Sequence, residues 1–142
     1  MNQTRLILCG GFLGAGKTTL IWDVAQRLMA QGKRVGLVTN DQAPELVDSR
    51  LLKQSGLQVA EVAGSCFCCN FNGFVDAIHS LRHDVQADVI LAEPVGSCAD
   101  LTATIVRHPL GLFGLHYPLC SYAQSVSHLS LRSLCGHLPF GR

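Results

Sequence analysis

The sequence predicts an α/β fold with a mainly parallel sheet flanked by helices, incomplete at its C-terminal side. Three observations predict it. Four short apolar runs, each suited to one buried strand, recur through the first 92 residues. Stretches with apolar residues at helical spacing separate them. A glycine-rich turn joins the first run to the first such stretch. Strands alternating with helices imply right-handed crossovers and parallel pairing.

The elements follow in order. Arg5 to Cys9 (RLILC) reads as a buried strand and Gly10 to Lys17 as the glycine-rich turn. Thr18 to Gln31 reads as a helix, with Leu20, Ile21, Val24, Leu28 and Met29 forming an apolar stripe and Gly32 stopping it. Arg34 to Thr39 is a second strand, ending in the polar pair Asn40-Asp41. A loop with Pro44 and a short helix from Leu46 to Gln54 come next, broken by Gly56. Leu57 to Val62 is a third strand, Gly64 to Gly73 a loop, and Phe74 to His83 an amphipathic helix. Asp88 to Ala92 is a fourth strand tipped by Glu93. Ser97 or Asp100 is placed to cap a last helix running through Val106.

Composition narrows the function. With 48% hydrophobic and 15% charged residues, the 142-residue chain is not an intrinsically disordered protein. A net charge of +1 excludes a strongly basic nucleic-acid binder as the default, so no nucleic-acid partner is expected. The span from His108 to Leu131 lacks charged residues but holds three histidines, two prolines and several serines, a poor fit to lipid. No targeting segment or membrane partner is therefore expected, and the chain reads as soluble and cytoplasmic. Seven cysteines, an odd number, argue against a disulfide scaffold.

Gly11 to Thr18 reads GFLGAGKT, a full match to GxxxxGK[ST] after an apolar strand and at the opening of a helix. The chemistry needs those residues in that order. The glycines let consecutive backbone N–H groups turn toward one anion, and the helix N-terminus adds its positive dipole end. Lys17 supplies a full charge to the β- and γ-phosphates, and the Thr18 hydroxyl can ligate Mg²⁺. A chance lysine after a glycine-rich turn is the bland alternative, and a dinucleotide fingerprint fits the glycine spacing less well. The turn predicts a P-loop NTPase. Glu93, at the tip of an apolar strand, then stands where a second Mg²⁺ ligand is expected; the plain alternative is an exposed acid at a strand end. Asp41 and Asp48 are candidate switch residues near Mg²⁺, or solvated loop acids.

Cys66, Cys68 and Cys69 give three thiols within four residues, in a loop whose Gly64, Asn70, Asn72 and Gly73 permit irregular backbone. Regular strand geometry would send Cys68 and Cys69 to opposite faces, so one metal can hold both only on such backbone. Thiolates favour Zn²⁺ and similar soft or borderline ions, and three ligands leave one position open for exchange. Cys9 reads instead as a small buried hydrophobe, and Cys98 as structural. His79 and His83 lie i, i+4 and could chelate a metal, although a solvated helix face is the commoner explanation.

Taken together, GGFLGAGKTTL at Gly10 to Leu20, Cys66-x-Cys68-Cys69 and Glu93-Pro94-Val95-Gly96 closely resemble the CobW-type GTPases, a family of cobalamin-synthesis proteins and metal chaperones. The resemblance covers roughly residues 5 to 107. It implies a P-loop GTPase domain, Mg²⁺-dependent GTP hydrolysis, and delivery of Zn²⁺ or Co²⁺ to a client metalloprotein. Gly11, Gly14, Ala15, Gly16, Lys17, Thr18 and Thr19 match the nucleotide-binding loop. Cys66, Cys68 and Cys69 match the metal motif, and Glu93 and Gly96 match the ExxG segment. The resemblance makes Lys17, Glu93 and Asp41 the expected catalytic set, with Thr18 and Glu93 on Mg²⁺.

Two departures are visible. Ser65 stands where the family often has glycine, and no NKxD guanine-recognition box is present, because no lysine follows Lys53. Residues 1–100 hold all ten acids, whereas 101–142 hold three arginines and none. This break predicts that residues 1–108 are the N-terminal part of a GTPase domain and that 109–142 are a non-family tail, disordered or non-native, in a truncated or frame-shifted product. A metal tail built from Cys120, His128, Cys135 and His137 fits no regular zinc spacing. The alternative to an active carrier is a catalytically inactive fragment that binds metal and nucleotide. A sheet cut after its fourth strand would also expose an apolar edge, for which a second copy of the chain, as a homodimer, is one expected cover.

Overall fold

A computed structural model describes residues 4–10, 14, 16–40, 57–64 and 66–95. Within them run β1 (Arg5–Leu8), α1 (Lys17–Ala30), β2 (Val35–Asn40), β3 (Gln58–Val62), α2 (Phe71–His83) and β4 (Val89–Glu93). The four strands pair in parallel in the order β1-β4-β2-β3, so the last described strand is inserted between the first two. The expected α/β architecture is present. The expected helices at 46–54 and 97–106, together with Gly11, Ala15, Asp41, Asp48, Cys98 and the tail, lie outside the described residues.

Strand parity sorts the core onto two faces. Leu6, Leu8, Val38, Val62, Ile90 and Ala92 point to the face covered by α2, which contributes Phe74, Ala77, Ile78 and Leu81. Val35, Leu37, Val89, Leu91 and Cys9 point to the face covered by α1, which contributes Ile21, Ala25 and Leu28. β2 and β4, covered on both faces, read as continuous apolar runs for this reason. Cys9 is buried as expected and extends β1 by donating its N–H to Ala92 O at 2.9 Å. At Gly36 α2 packs close on the sheet: a Cβ there would sit 2.9 Å from Leu81 Cδ1.

The boundaries differ from expectation mainly at α2. It begins at Phe71 rather than Phe74, because the Asn70 side chain accepts the Gly73 N–H at 3.1 Å and serves as N-cap. Asn72 and Gly73 therefore belong to the helix, and the cysteine loop is correspondingly shorter. At the opposite end of the sheet, Asp88 accepts the Arg34 N–H at 2.9 Å and faces its guanidinium at 3.5 Å. Burial raises the Asp88 carboxyl, but the Arg34 backbone and side chain, with Lys33, outweigh it and hold the group below its ordinary value. This clamp sets the starts of β2 and β4, and the strands then run in register toward their C-terminal ends, where open parallel sheets place ligands. No helix among the described residues is long and apolar enough to cross a membrane.

Candidate nucleotide and metal sites

Both groups of chemically interesting residues lie at the C-terminal ends of the strands. At the first, the chain leaves β1 and enters α1 through glycines. Gly14 and Gly16 both adopt φ of +78°, a left-handed conformation that side chains resist, so these two positions require glycine. Gly16 is the N-cap of α1 and has no side chain to satisfy the first-turn N–H groups; the first turn carries no acid either. Those donors and the dipole end thus face the turn uncancelled by any negative charge in the first turn of the helix.

Lys17 and Thr18 open α1, and β4 delivers Glu93 to the same place. The Thr18 hydroxyl donates to Glu93 Oε1 at 2.8 Å, joining residues 75 apart in sequence. Lys17 is 8% exposed, an unusually buried position for a lysine. Burial pushes the Glu93 carboxyl above its ordinary value, while the Thr18 hydroxyl and the Lys17 charge pull it back down. A buried carboxylate that already costs free energy to ionise gains most from a nearby cation. The two oxygens also suit Mg²⁺ by type and spacing: both are hard donors, and adjacent oxygens of an octahedral Mg²⁺ lie roughly 3 Å apart. Thr19 is exposed on the next position of the helix. Lys17, Thr18 and Glu93 are thus brought together at the start of α1.

At the second group, Phe67 to Asn70 form a tight turn between β3 and α2. The Cys66 carbonyl accepts the N–H groups of both Cys69 and Asn70 at 3.0 Å, wrapping the chain around one acceptor. This irregular backbone brings all three sulfurs to one side. Cys66 Sγ lies 3.0 Å from Cys68 Sγ and 3.2 Å from Cys69 Sγ, and all three fall within 4.8 Å of one another. Sulfurs around a tetrahedral zinc, at bonds of about 2.3 Å, sit roughly 3.8 Å apart, so a small opening of the turn admits the ion. Cys69 is exposed, and its thiol is held above its ordinary value by the hydrogen bond with Cys66 and the Cys66 charge. Three thiols this close cannot all ionise side by side without a cation between them.

Two positions fix the turn: Phe67, which the sequence pattern offers only as a spacer, and Asn70, expected only as a loop residue. Phe67, between the first two cysteines, is fully buried and stacks on Phe74 of α2 with ring centroids 4.5 Å apart. Asn70 caps α2 and also donates from Nδ2 to Ala63 O at 3.2 Å, tying the turn back to the end of β3. The signal for Phe67 was available in its helical spacing to Phe74, Ile78 and Leu81. The signal for Asn70 was its place three residues before Gly73, at the foot of an apolar-periodic stretch. His79 and His83 lie on the exposed face of α2, well away from the sulfurs along the helix.

The chain is similar to known proteins in sequence and in fold. The model of the CobW/HypB/UreG nucleotide-binding domain matches residues 5–110. A zinc chaperone CobW of Sinorhizobium is 35% identical over 94 residues, covering 61% of this chain and 26% of that protein. The Escherichia coli K12 zinc chaperone YjiA is 29% identical over 102 residues, covering 68% of this chain and 31% of its own length. The chain thus spans about a quarter to a third of the length of these relatives. In fold it is similar to the signal recognition particle receptor FtsY of Elizabethkingia anophelis, with a TM-score of 0.57 at 23% identity over 75% of this chain and 34% of that one.

Proposed function

Because this chain belongs to the CobW/HypB/UreG nucleotide-binding domain family, we propose that it is a GTP-binding metal chaperone whose cargo is Zn²⁺ held by Cys66, Cys68 and Cys69. Co²⁺ is the alternative cargo, and a client metalloprotein is the recipient. The observation that carries the reading is the connection between the two sites. The three-sulfur turn leads directly into α2, and α2 leads into β4, whose last residue is Glu93. The zinc-chaperone relatives support the choice of zinc.

In the proposed mechanism the Gly14–Gly16 turn and the first N–H groups of α1 receive the triphosphate, and Lys17 places its ammonium against the outer phosphates. Thr18 and Glu93 hold Mg²⁺, which when bound neutralises charge developing on the phosphate oxygens. For both oxygens to face one cation, the Thr18 hydroxyl would swing the proton it now donates to Glu93 toward another acceptor. Asp41, the next residue in the sequence after β2, is assigned the response to the γ-phosphate that the family resemblance implies. A change at Glu93 reaches the sulfurs through packed side chains: Ile90 and Ala92 of β4 share a core with Phe74 and Ile78, and Phe67 rides on Phe74. Widening of the Cys66 turn then alters metal affinity. Such coupling must act equally in both directions.

The test is calorimetric titration of the purified chain with GTP and ATP, and separately with Zn²⁺. One GTP site and one Zn²⁺ site are expected, the latter abolished when Cys66, Cys68 and Cys69 are all changed to Ser. Mg²⁺-dependent phosphate release that Lys17→Ala eliminates would establish turnover. Undiminished Zn²⁺ binding by the triple variant would refute the cargo assignment.

A further inference from the structure

Helix α2 carries a second set of metal-binding side chains at its other end. His79 and His83 sit one turn apart, both exposed, with imidazole rings nearly parallel at 13° and centroids 5.9 Å apart. The helix buries Phe74, Ala77, Ile78 and Leu81, so neither imidazole contributes to the core. The neighbouring acid Asp84 is engaged by Ser80, whose hydroxyl donates to Oδ2 at 2.8 Å. From the start of α2 to His79 is roughly 12 Å along the axis at about 1.5 Å per residue, too far for one ion to touch both a cysteine and a histidine.

We infer that His79 and His83 form a second, solvent-open site for a borderline divalent cation, separate from the cysteine turn. A ring nitrogen bound at about 2.0–2.1 Å puts its ring centroid roughly 3.2 Å from the ion, so two imidazoles on one ion have centroids roughly 4.5–5.5 Å apart. The observed pair is stacked and stands just outside that range, so both exposed rings must turn about their side-chain torsions to bring one nitrogen each onto a shared ion. Folded helix pre-pays the ordering of the two ligands, since i, i+4 positions already face one another. His83 falls in the last turn, where the negative end of the helix dipole favours a cation. Imidazole suits Cu²⁺, Ni²⁺, Zn²⁺ and Co²⁺, and water completes the shell, so the ion exchanges readily.

The experiment isolates this site from the cysteines. The full chain with Cys66, Cys68 and Cys69 changed to Ser is titrated with Ni²⁺, followed by the same chain carrying His79→Ala, His83→Ala or both. Retention of fold is checked by circular dichroism, which substitutions at exposed positions should not disturb. Each single substitution is expected to weaken one Ni²⁺ site at least tenfold, and the double substitution to lower the stoichiometry by one. Cu²⁺ bound to the triple variant should give a paramagnetic resonance signature of two nitrogens that the double substitution removes. Ni²⁺ stoichiometry and affinity unchanged by the double substitution would overturn the assignment. That failure would leave the cysteine site untouched, because the titration is done without it.

Discussion

Thr18 and Glu93 meet across 75 residues, each fixed at the end of a regular element, whereas Cys66, Cys68 and Cys69 are gathered by one turn around one carbonyl. The backbone that carries the first arrangement cannot shift without moving α1 against β4, both of which pack into one of the two cores. The second can open by a fraction of an ångström while the sheet stays intact. The difference suits a rigid site to a polyanion whose charge must be met in one geometry, and a compliant site to an ion that is taken up and released. Between the two lies a short run of packed side chains, Phe67 on Phe74 and Phe74 against β4.

The contrast can be broken at its join. Phe67→Ala removes a fully buried ring and should cost about 3–5 kcal/mol in urea unfolding. It should also weaken Zn²⁺ binding although every sulfur remains; Zn²⁺ affinity equal to that of the unaltered chain would mean the turn holds itself. Lys17→Ala attacks the rigid side. Loss of a charged hydrogen-bond donor should lower GTP affinity by about 2–3 kcal/mol, roughly 30- to 150-fold, with nucleotide-free Zn²⁺ binding unchanged. Asn70→Ala removes the α2 cap and the tie to Ala63, for an expected loss of about 1 kcal/mol in stability. Hydrogen exchange should then accelerate in the first turn of α2 and leave α1 as it was.

The smallest effect concerns the end of the sheet remote from both sites. The Asp88 carboxyl is held below its ordinary value in the folded chain. Its contribution is therefore present above that ordinary value and is lost as pH falls through the lowered one. Because the pair with Arg34 is partly exposed, the contribution is about 1 kcal/mol or less. Denaturant midpoints measured down an acid series should fall less steeply for Asp88→Asn than for the unaltered chain, and parallel slopes would show the clamp to be inert.

Most of the rigid site was legible in the sequence, because its chemistry is written in local spacing. Glycines at 14 and 16, Lys17 and Thr18 occupy a strand-to-helix turn that can be read residue by residue, and Glu93 ends an apolar run. What could not be read is the insertion of β4 between β1 and β2, since parallel pairing leaves no local mark of which strands meet. The compliant site was legible in its ligands and opaque in its support. Phe67 counted only as the spacer between two cysteines, although its burial anchors the turn. Asn72 and Gly73 suggested loop, and the Asn70 cap, a local hydrogen bond that offsets their poor helix propensity, made them helix instead.

The central claim is that the two sites act in step. Its most direct measurement is the Zn²⁺ dissociation constant, by competition with a chromophoric chelator, in the presence of Mg²⁺ with a non-hydrolysable GTP analogue, with GDP, and with no nucleotide. The account predicts that the analogue and GDP states differ by at least about fivefold, or 1 kcal/mol, with the same factor recovered when analogue affinity is measured with and without Zn²⁺. Three equal constants would contradict it.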